Sequence, residues 1–508
     1  MLASLVVVLA FLLLAWEASS RPRRPLLAVL GLVLVAVAAV LRFGAEATLI
    51  DSAIGFLRSL SVGLLVGGVV MGLRHPRARG RHAAPFLALA LVAFLGSLAF
   101  SALRPSTEVV PTGTLAPQQA ALLVELGPDD EISELTPLLT QYEATAERAF
   151  PSVALTDDAD LAQVYLIAAP AEQLDALRAR LHADTENVDA TAWNQRLQLL
   201  DPLPNPETGA VLNVEARAND PYAAEQWALE AIGGHAVHAM LQGLTPVRKA
   251  RVAILDTGVD AAHPDLAAAF GESPGRTDPQ GHGTHCAGLA AAVANNGTGI
   301  ASLNWEGRFI ELLSFQAIHA FGGGTIEQIA QAVIDASQAE ADVISMSLGD
   351  YVNTPPKVLT DAVAYAQRRG SIIVASAGND RMDARTHIPS NLDGVIAVAA
   401  LDANLRRARF SNSTTSLERP LSAPGVDVLS LTPGGTYRRM SGTSMATPLV
   451  AGLLGVLRAL DPALSADDAY ALLAATGQAT ADEAAVGPFL DAEAAVQALL
   501  EPVPAQAP

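Results

Sequence analysis

Residues 251–260 read RVAILDTGVD, an apolar run that closes on Asp256 and a glycine turn. Four runs of the same kind follow: FIELLSF (309–315), DVISMSL (342–348), SIIVASA (371–377) and GVIAVAA (394–400). They are apolar throughout rather than alternating, as strands buried on both faces must be. Helical stretches at 325–340 and 357–369 separate them. This alternation predicts an α/β domain with a parallel sheet and helices on both faces. Ligands of such sheets gather at the carboxyl ends of the strands, which makes Asp256 the first functional candidate.

Working outward, the bulk properties divide the 508 residues unevenly. Residues 1–104 hold ten Arg, no Lys and only Glu17, Glu46 and Asp51 as acids, a charge of +7. The whole chain carries −20, which leaves −27 on residues 105–508. An acidic soluble part excludes a nucleic-acid partner, because phosphate binding needs clustered Lys and Arg. A single cysteine, Cys286, excludes an intrachain disulfide and a cysteine-based zinc site.

Apolar segments at 2–16, 25–43, 53–73 and 84–103 predict an all-α transmembrane module over 1–104. A spanning helix needs about 17–25 apolar residues; the last three segments qualify and the first is short, so three or four spans are expected. Arg21, Arg23 and Arg24 follow the first segment, and Arg74, Arg77, Arg79 and Arg81 lie between the third and fourth. Basic loops stay cytoplasmic. Either span count then places residues 105–508 outside the membrane, with the lipid bilayer as a partner of the N-terminal module.

Residues 105–117 form a linker rich in Pro, Thr and Ser. From 118 to 198 the pattern is a small α+β unit: strand 121–126, helix 131–149, strand 162–169, helix 171–183 and strand 186–193. A turn-rich connector at 199–218 is suited to proteolysis.

Two further motifs join Asp256 in its D-T-G-V-D string. His282 lies in GHGTHCAG, and Ser444 lies in SGTSMATP directly before the apolar helix LVAGLLGVLRAL. Alone, each has a plainer reading: a turn aspartate, a structural histidine, an N-cap serine. Together, in this order, the three strings resemble those of the subtilisin-like serine proteases (peptidase family S8), over roughly residues 219–500. HPDL (263–266), SMSLG (345–349) and LSAPGVDVLS (421–430) extend the resemblance.

The resemblance implies a serine endopeptidase acting on protein or peptide substrates, with no cofactor for the chemistry. Ser444 is the expected nucleophile, His282 the general base and Asp256 the residue that orients it. Asn379, in SAGND, is the expected second oxyanion donor beside the Ser444 backbone N–H. Ser347, Leu348 and Gly349, with Ala377 and Gly378, are the expected substrate-binding edges. Gly349 and Gly378 suggest an open cleft that accepts large P1 side chains, P1 being the residue before the scissile bond. Asp350 and Asp380 beside it either favour a basic P1 residue or are solvated surface acids. Asp265, Asn295 and Asn296 resemble a structural calcium site, the plain alternative being an Asn-Gly turn. Cys286 reads as a buried structural thiol. The unit at 118–198 resembles the family's ferredoxin-like propeptide, an intramolecular inhibitor and chaperone, with cleavage expected between Asp201 and Asp220. Cutting there releases the protease; otherwise it stays tethered. The competing reading is a catalytically silent, protease-shaped sensor on a membrane module, against which the complete residue set argues.

Overall fold

The computed structural model describes residues 119–198, 218–319 and 323–501; the expected membrane spans, the linker 105–117 and nearly all of the connector lie outside them. The first described elements are β1 (Gln119–Leu126), α1 (Thr136–Gln141), β2 (Thr145–Arg148), α2 (Ala159–Ala162), β3 (Val164–Pro170), α3 (Leu174–Ala183) and β4 (Val188–Trp193). The four strands make one antiparallel sheet in the order β2-β3-β1-β4. Leu122, Val124 and Leu126 of β1 and Ile167 of β3 bury against Leu174, Leu177 and Leu181 of α3.

The helix expected over 131–149 stops at Gln141, and its second half is the strand β2. Its apolar period runs out near Tyr142, and Glu143 adopts a left-handed φ of +50° that reverses the chain. Arg148 then fixes the strand, donating from Nε to Ala162 O (3.1 Å) and from Nη2 to Val153 O (2.8 Å). The strand expected from 162 starts at Val164, because Asp158 caps a helical turn, accepting from Leu161 N at 3.0 Å.

Beyond β5 (Arg196–Gln198), the larger part is built from β6 (Ala250–Asp256), α4 (His282–Ala291), β7 (Ile310–Gln316), β8 (Gly323–Thr325) and α5 (Ile326–Gln338). Then come β9 (Val343–Met346), β10 (Asp350–Tyr351), α6 (Lys357–Arg368), β11 (Ile372–Ser376), β12 (His387–Ile388) and β13 (Ile396–Leu401). The last of these elements are β14 (Pro420–Pro424), β15 (Val428–Thr432), β16 (Thr436–Met440) and α7 (Thr443–Leu460). Six strands form a parallel sheet in the order β14-β13-β11-β9-β6-β7.

The unbroken apolar strands have the cause the sequence suggested. Val252 and Ile254 of β6 bury in one core with Cys286 of α4 and Leu453 of α7. Their neighbours Ala253 and Leu255 bury on the opposite face with Ile329 of α5 and Leu359 of α6. Each fully buried Val, Leu or Ile contributes roughly 1.5–3 kcal/mol. Among the described residues, α7 alone has the length and apolarity to cross a membrane, yet it is the buried central helix of this domain.

The small unit shares the second core: Leu123, Phe150, Val153, Leu161 and Leu166 join Val358 and Leu359 of α6. Lys357 Nζ reaches Glu125 Oε1 at 2.5 Å and Asp361 Oδ2 at 2.9 Å, and Arg368 pairs with Asp158. Past β4 the chain runs along the start of α5, where Ile326 N donates to Gln195 O (3.1 Å) and Glu327 N to Asn194 Oδ1 (3.0 Å). It then pairs antiparallel through β5 with β8, Leu197 opposite Gly324.

Candidate active site

Asp256 is the last residue of β6, His282 the first of α4, and Ser444 lies in the first turn of α7. All three sit at the carboxyl side of the sheet, where the polar ends of buried strands meet helix starts. Asp256 is fully buried and its Oδ1 accepts from Thr257 N at 2.7 Å. Both its oxygens face His282 Nδ1, at 2.8 and 2.9 Å. Burial disfavours charge on His282, but Asp256 outweighs it and holds the imidazole well above its ordinary range. With Nδ1 engaged, His282 Nε2 is the free nitrogen; it is buried and makes no hydrogen bond. Ser444 Oγ donates instead to Ser347 O at 3.3 Å. No hydrogen bond joins Ser444 to His282 here, and such catalytic bonds often tighten only when substrate is bound.

Two glycines shape the site. A Cβ on Gly283, beside His282, would stand 2.1 Å from Gly258 O and 3.1 Å from Asp256 Cβ. Gly442, just before the α7 turn, leaves open a point 3.6 Å from both Asn379 Nδ2 and Ser444 N. Asn379 is turned toward that point because its Oδ1 is occupied, accepting from Thr443 N and Thr443 Oγ1 at 2.9 Å each. Asn379 Nδ2 and Ser444 N thus stand at equal distance from one open point, and two donors so placed can stabilise a developing oxyanion.

Asp278 was not among the expected residues. Its Oδ1 accepts from Thr257 Oγ1 (2.9 Å), Gln280 N (3.0 Å) and Gly281 N (2.7 Å), while Oδ2 accepts from Thr284 N (2.8 Å) and Oγ1 (2.7 Å). It ties the Asp256 turn to the start of α4, and an Asp four residues before His282 was its only sequence signal. Cys286 lies behind the site, fully buried, with Sγ donating to Ser444 O at 3.4 Å. Burial pushes its thiol up, which makes it a poor nucleophile.

Ser347, Leu348 and Gly349 follow β9, and Ala377 and Gly378 follow β11, so adjacent parallel strands deliver both edges to the site. The space expected to be open between Gly349 and Gly378 is filled: His387 lies against both. Asp350 and Asp380 are engaged, accepting from Tyr351 N (2.7 Å) and Tyr351 OH (3.0 Å).

The loop at 293–299 closes over two acids. Asp265 is fully buried, accepting from Asn296 Nδ2 (3.0 Å) and Ile300 N (2.8 Å). Asp220, missed in the sequence, accepts from Asn295 N (2.7 Å) and Asn296 N (3.0 Å). Asn295 itself points to Glu306, at 3.3 Å, rather than to Asp265. Burial first, and then the Asp220 charge, push Asp265 up to about 7; burial raises Asp220 as well. Two desolvated carboxylates that repel each other, beside an Asn side chain, fit an oxygen-seeking cation such as calcium.

Residues 248–489 match the Subtilase family. Thermitase of Thermoactinomyces vulgaris is 39% identical over 250 residues, covering 47% of this chain and 84% of that protein. The chain belongs to the subtilase family. Subtilisin DY of Bacillus licheniformis is 37% identical over 256 residues, 49% of this chain and 90% of its own length. A thermophilic serine proteinase of Bacillus sp. (strain AK1) is 43% identical over 213 residues, and the match spans only about half of that protein (51%) and 41% of this chain. This subtilase is accordingly a serine endopeptidase, a hydrolase of peptide bonds.

Proposed function

We propose that this subtilase is a membrane-anchored endopeptidase working outside the cytoplasmic membrane through Asp256, His282, Ser444 and Asn379. The observation that carries the chemistry is the buried Asp256–His282 pair, whose Nε2 makes no hydrogen bond, together with a helix-start serine and two donors that flank one open point. A substrate strand lies along Ser347–Gly349 and β8. The Ser444 hydroxyl turns from Ser347 O to His282 Nε2, which takes its proton as Oγ attacks the P1 carbonyl. Asp256 stabilises the imidazolium and keeps its ring oriented. The oxyanion is held by Asn379 Nδ2 and Ser444 N; one such donor contributes about 10²–10³ in turnover, a magnitude measured in subtilisin itself. His282 returns the proton to the leaving amine, and water then hydrolyses the acyl-enzyme by the same path.

The α+β unit is read as a ferredoxin-like propeptide that inhibits in cis. Its supports are the strand order β2-β3-β1-β4 and the antiparallel pairing of β5, just past the unit, with β8 of the larger part. Asp220 and Asp265 with Asn296 would hold a structural calcium, whose charge would offset their mutual repulsion. The anchor and its orientation rest on the four apolar segments and the arginine-rich loops of residues 1–104.

The test is casein hydrolysis by the full chain in detergent. Ser444→Ala is expected to abolish it and to leave the chain uncut near 201–220; equal activity in the variant refutes the assignment and favours a silent sensor. A reporter fused after residue 104 is expected to be active only outside; cytoplasmic activity overturns the orientation.

A further inference from the structure

We propose that His387 forms the floor of the P1 pocket and restricts this protease to short P1 side chains, favouring those that donate a hydrogen bond. The proposal rests on the reading of Ser347–Gly349 and Ala377–Gly378 as the substrate-binding edges.

A Cβ added to Gly349 would stand 2.4 Å from His387 Cε1 and 2.8 Å from Nε2; one added to Gly378 would stand 2.8 Å from Cδ2 and 2.9 Å from Nε2. The imidazole therefore bridges the space between the two edges, and Nε2 is the atom that both edges share. His387 is 1% exposed, so it is enclosed on nearly every side and the space it fills is closed to a second large side chain.

The ring is also held in place. His387 sits on β12, opposite Tyr351 of β10, whose own strand continues from the Ser347–Gly349 edge. The Tyr351 ring packs edge-on against it, with centroids 5.2 Å apart. Tyr351 is anchored in turn, donating from its hydroxyl to Asp380 Oδ2 (3.0 Å) and accepting from Asn412 Nδ2 (2.5 Å). Moving the imidazole aside for an aromatic P1 residue would disrupt this set of contacts.

The tautomer follows from the hydrogen bonds. Ser390 Oγ donates to His387 O at 2.9 Å, so at 3.0 Å from His387 Nδ1 it can only accept. Nδ1 carries the proton and Nε2 presents a lone pair. Burial pushes His387 down to about 4, so the ring stays neutral in neutral and alkaline buffers. The floor is thus an uncharged acceptor, suited to a hydroxyl or amide donor on a short side chain and unsuited to an acid.

The test is kcat/KM of the full chain on peptides that differ only at P1. Ser and Asn are expected to exceed Ala, with Phe and Tyr at least about tenfold below Ala, the scale at which pockets exclude excess volume. His387→Ala is expected to raise the Phe-to-Ala ratio of kcat/KM by about tenfold or more. His387→Phe keeps the bulk and removes the acceptor: it should keep excluding aromatic residues and lose the preference for Ser over Ala. A parent enzyme that prefers Phe or Tyr overturns the proposal, whatever the stability of the variants. So does an unchanged Phe-to-Ala ratio in a folded His387→Ala protein. Both outcomes presuppose Ser444-dependent hydrolysis; if no peptide is cut in a Ser444-dependent way, the underlying active-site assignment fails instead, and the proposal with it.

Discussion

Gly442→Ala isolates the oxyanion step from everything else in the site. The new methyl would lie 3.6 Å from Asn379 Nδ2, Met445 Sδ and Ser444 N, all ordinary van der Waals contacts. The backbone at Gly442 has φ 162° and ψ 160°, extended values that alanine adopts without strain. Folding should therefore be untouched, with the melting temperature within a degree or two of the parent. An oxyanion held about 2.7–3.1 Å from both donors would be crowded by a methyl 3.6 Å from each of them. Loss of one donor costs roughly 3–4 kcal/mol in subtilisin; obstruction of both predicts a fall in kcat of at least about 10³-fold. KM should change less than kcat, because the oxyanion forms only in the transition state. The assay is steady-state hydrolysis of a chromogenic peptide beside a thermal melt. A folded Gly442→Ala enzyme that retains kcat within tenfold would show that the two donors do not converge on the reacting oxygen.

Other outcomes follow from the same geometry. Because Asp256 holds His282 well above its ordinary range, the base is neutral only at high pH; kcat/KM should rise with pH along a limb above that range. Asp256→Asn should shift the limb downward and cut kcat by about 10⁴-fold, as in related triads. Asp278→Asn should lower kcat more than it raises KM, since it loosens both Thr257 and the start of α4; the reverse pattern in steady-state kinetics contradicts its positioning role. Asp265 is raised to about 7 when folded, so as an acid it favours the fold at low pH, and that contribution is lost as pH rises through about 7. A chelator should then lower the melting temperature more at pH 8.5 than at pH 6; equal shifts argue against a cation there. In a Ser444→Ala background, Lys357→Met leaves Glu125, 1% exposed, without its cation. A buried pair broken on one side costs about 3–5 kcal/mol; with Lys357 44% exposed, about 2 kcal/mol is expected. Hydrogen exchange in β1 should accelerate about tenfold or more, and Glu125→Gln should restore it.

Much of this was legible before any coordinate. Asp256, His282, Ser444 and Asn379 were singled out because their short strings, each ambiguous alone, together resemble one family's pattern. The parallel strands were readable because burial on both faces leaves no alternation to confuse. What escaped was non-local. His387 meets Gly349 and Gly378 across 38 and 9 residues of chain, and nothing in RTHIPS announces that it fills their cleft. Asp220 reaches the 293–299 loop from 75 residues away, so an Asn-rich turn was visible and half of its acid pair was not. The long helix expected from 131 failed because alanine and glutamate at 143–149 suit a helix locally, whereas pairing with β3 and the Arg148 contacts make them a strand.

The most direct test of the central claim is covalent labelling of the intact chain by a phosphonofluoridate, followed by peptide mass spectrometry. A single adduct on Ser444 is expected, formed in step with the loss of casein hydrolysis and slowed by Asp256→Asn. Full inactivation with the adduct on another residue, or hydrolysis that persists with Ser444 fully labelled, would contradict the account.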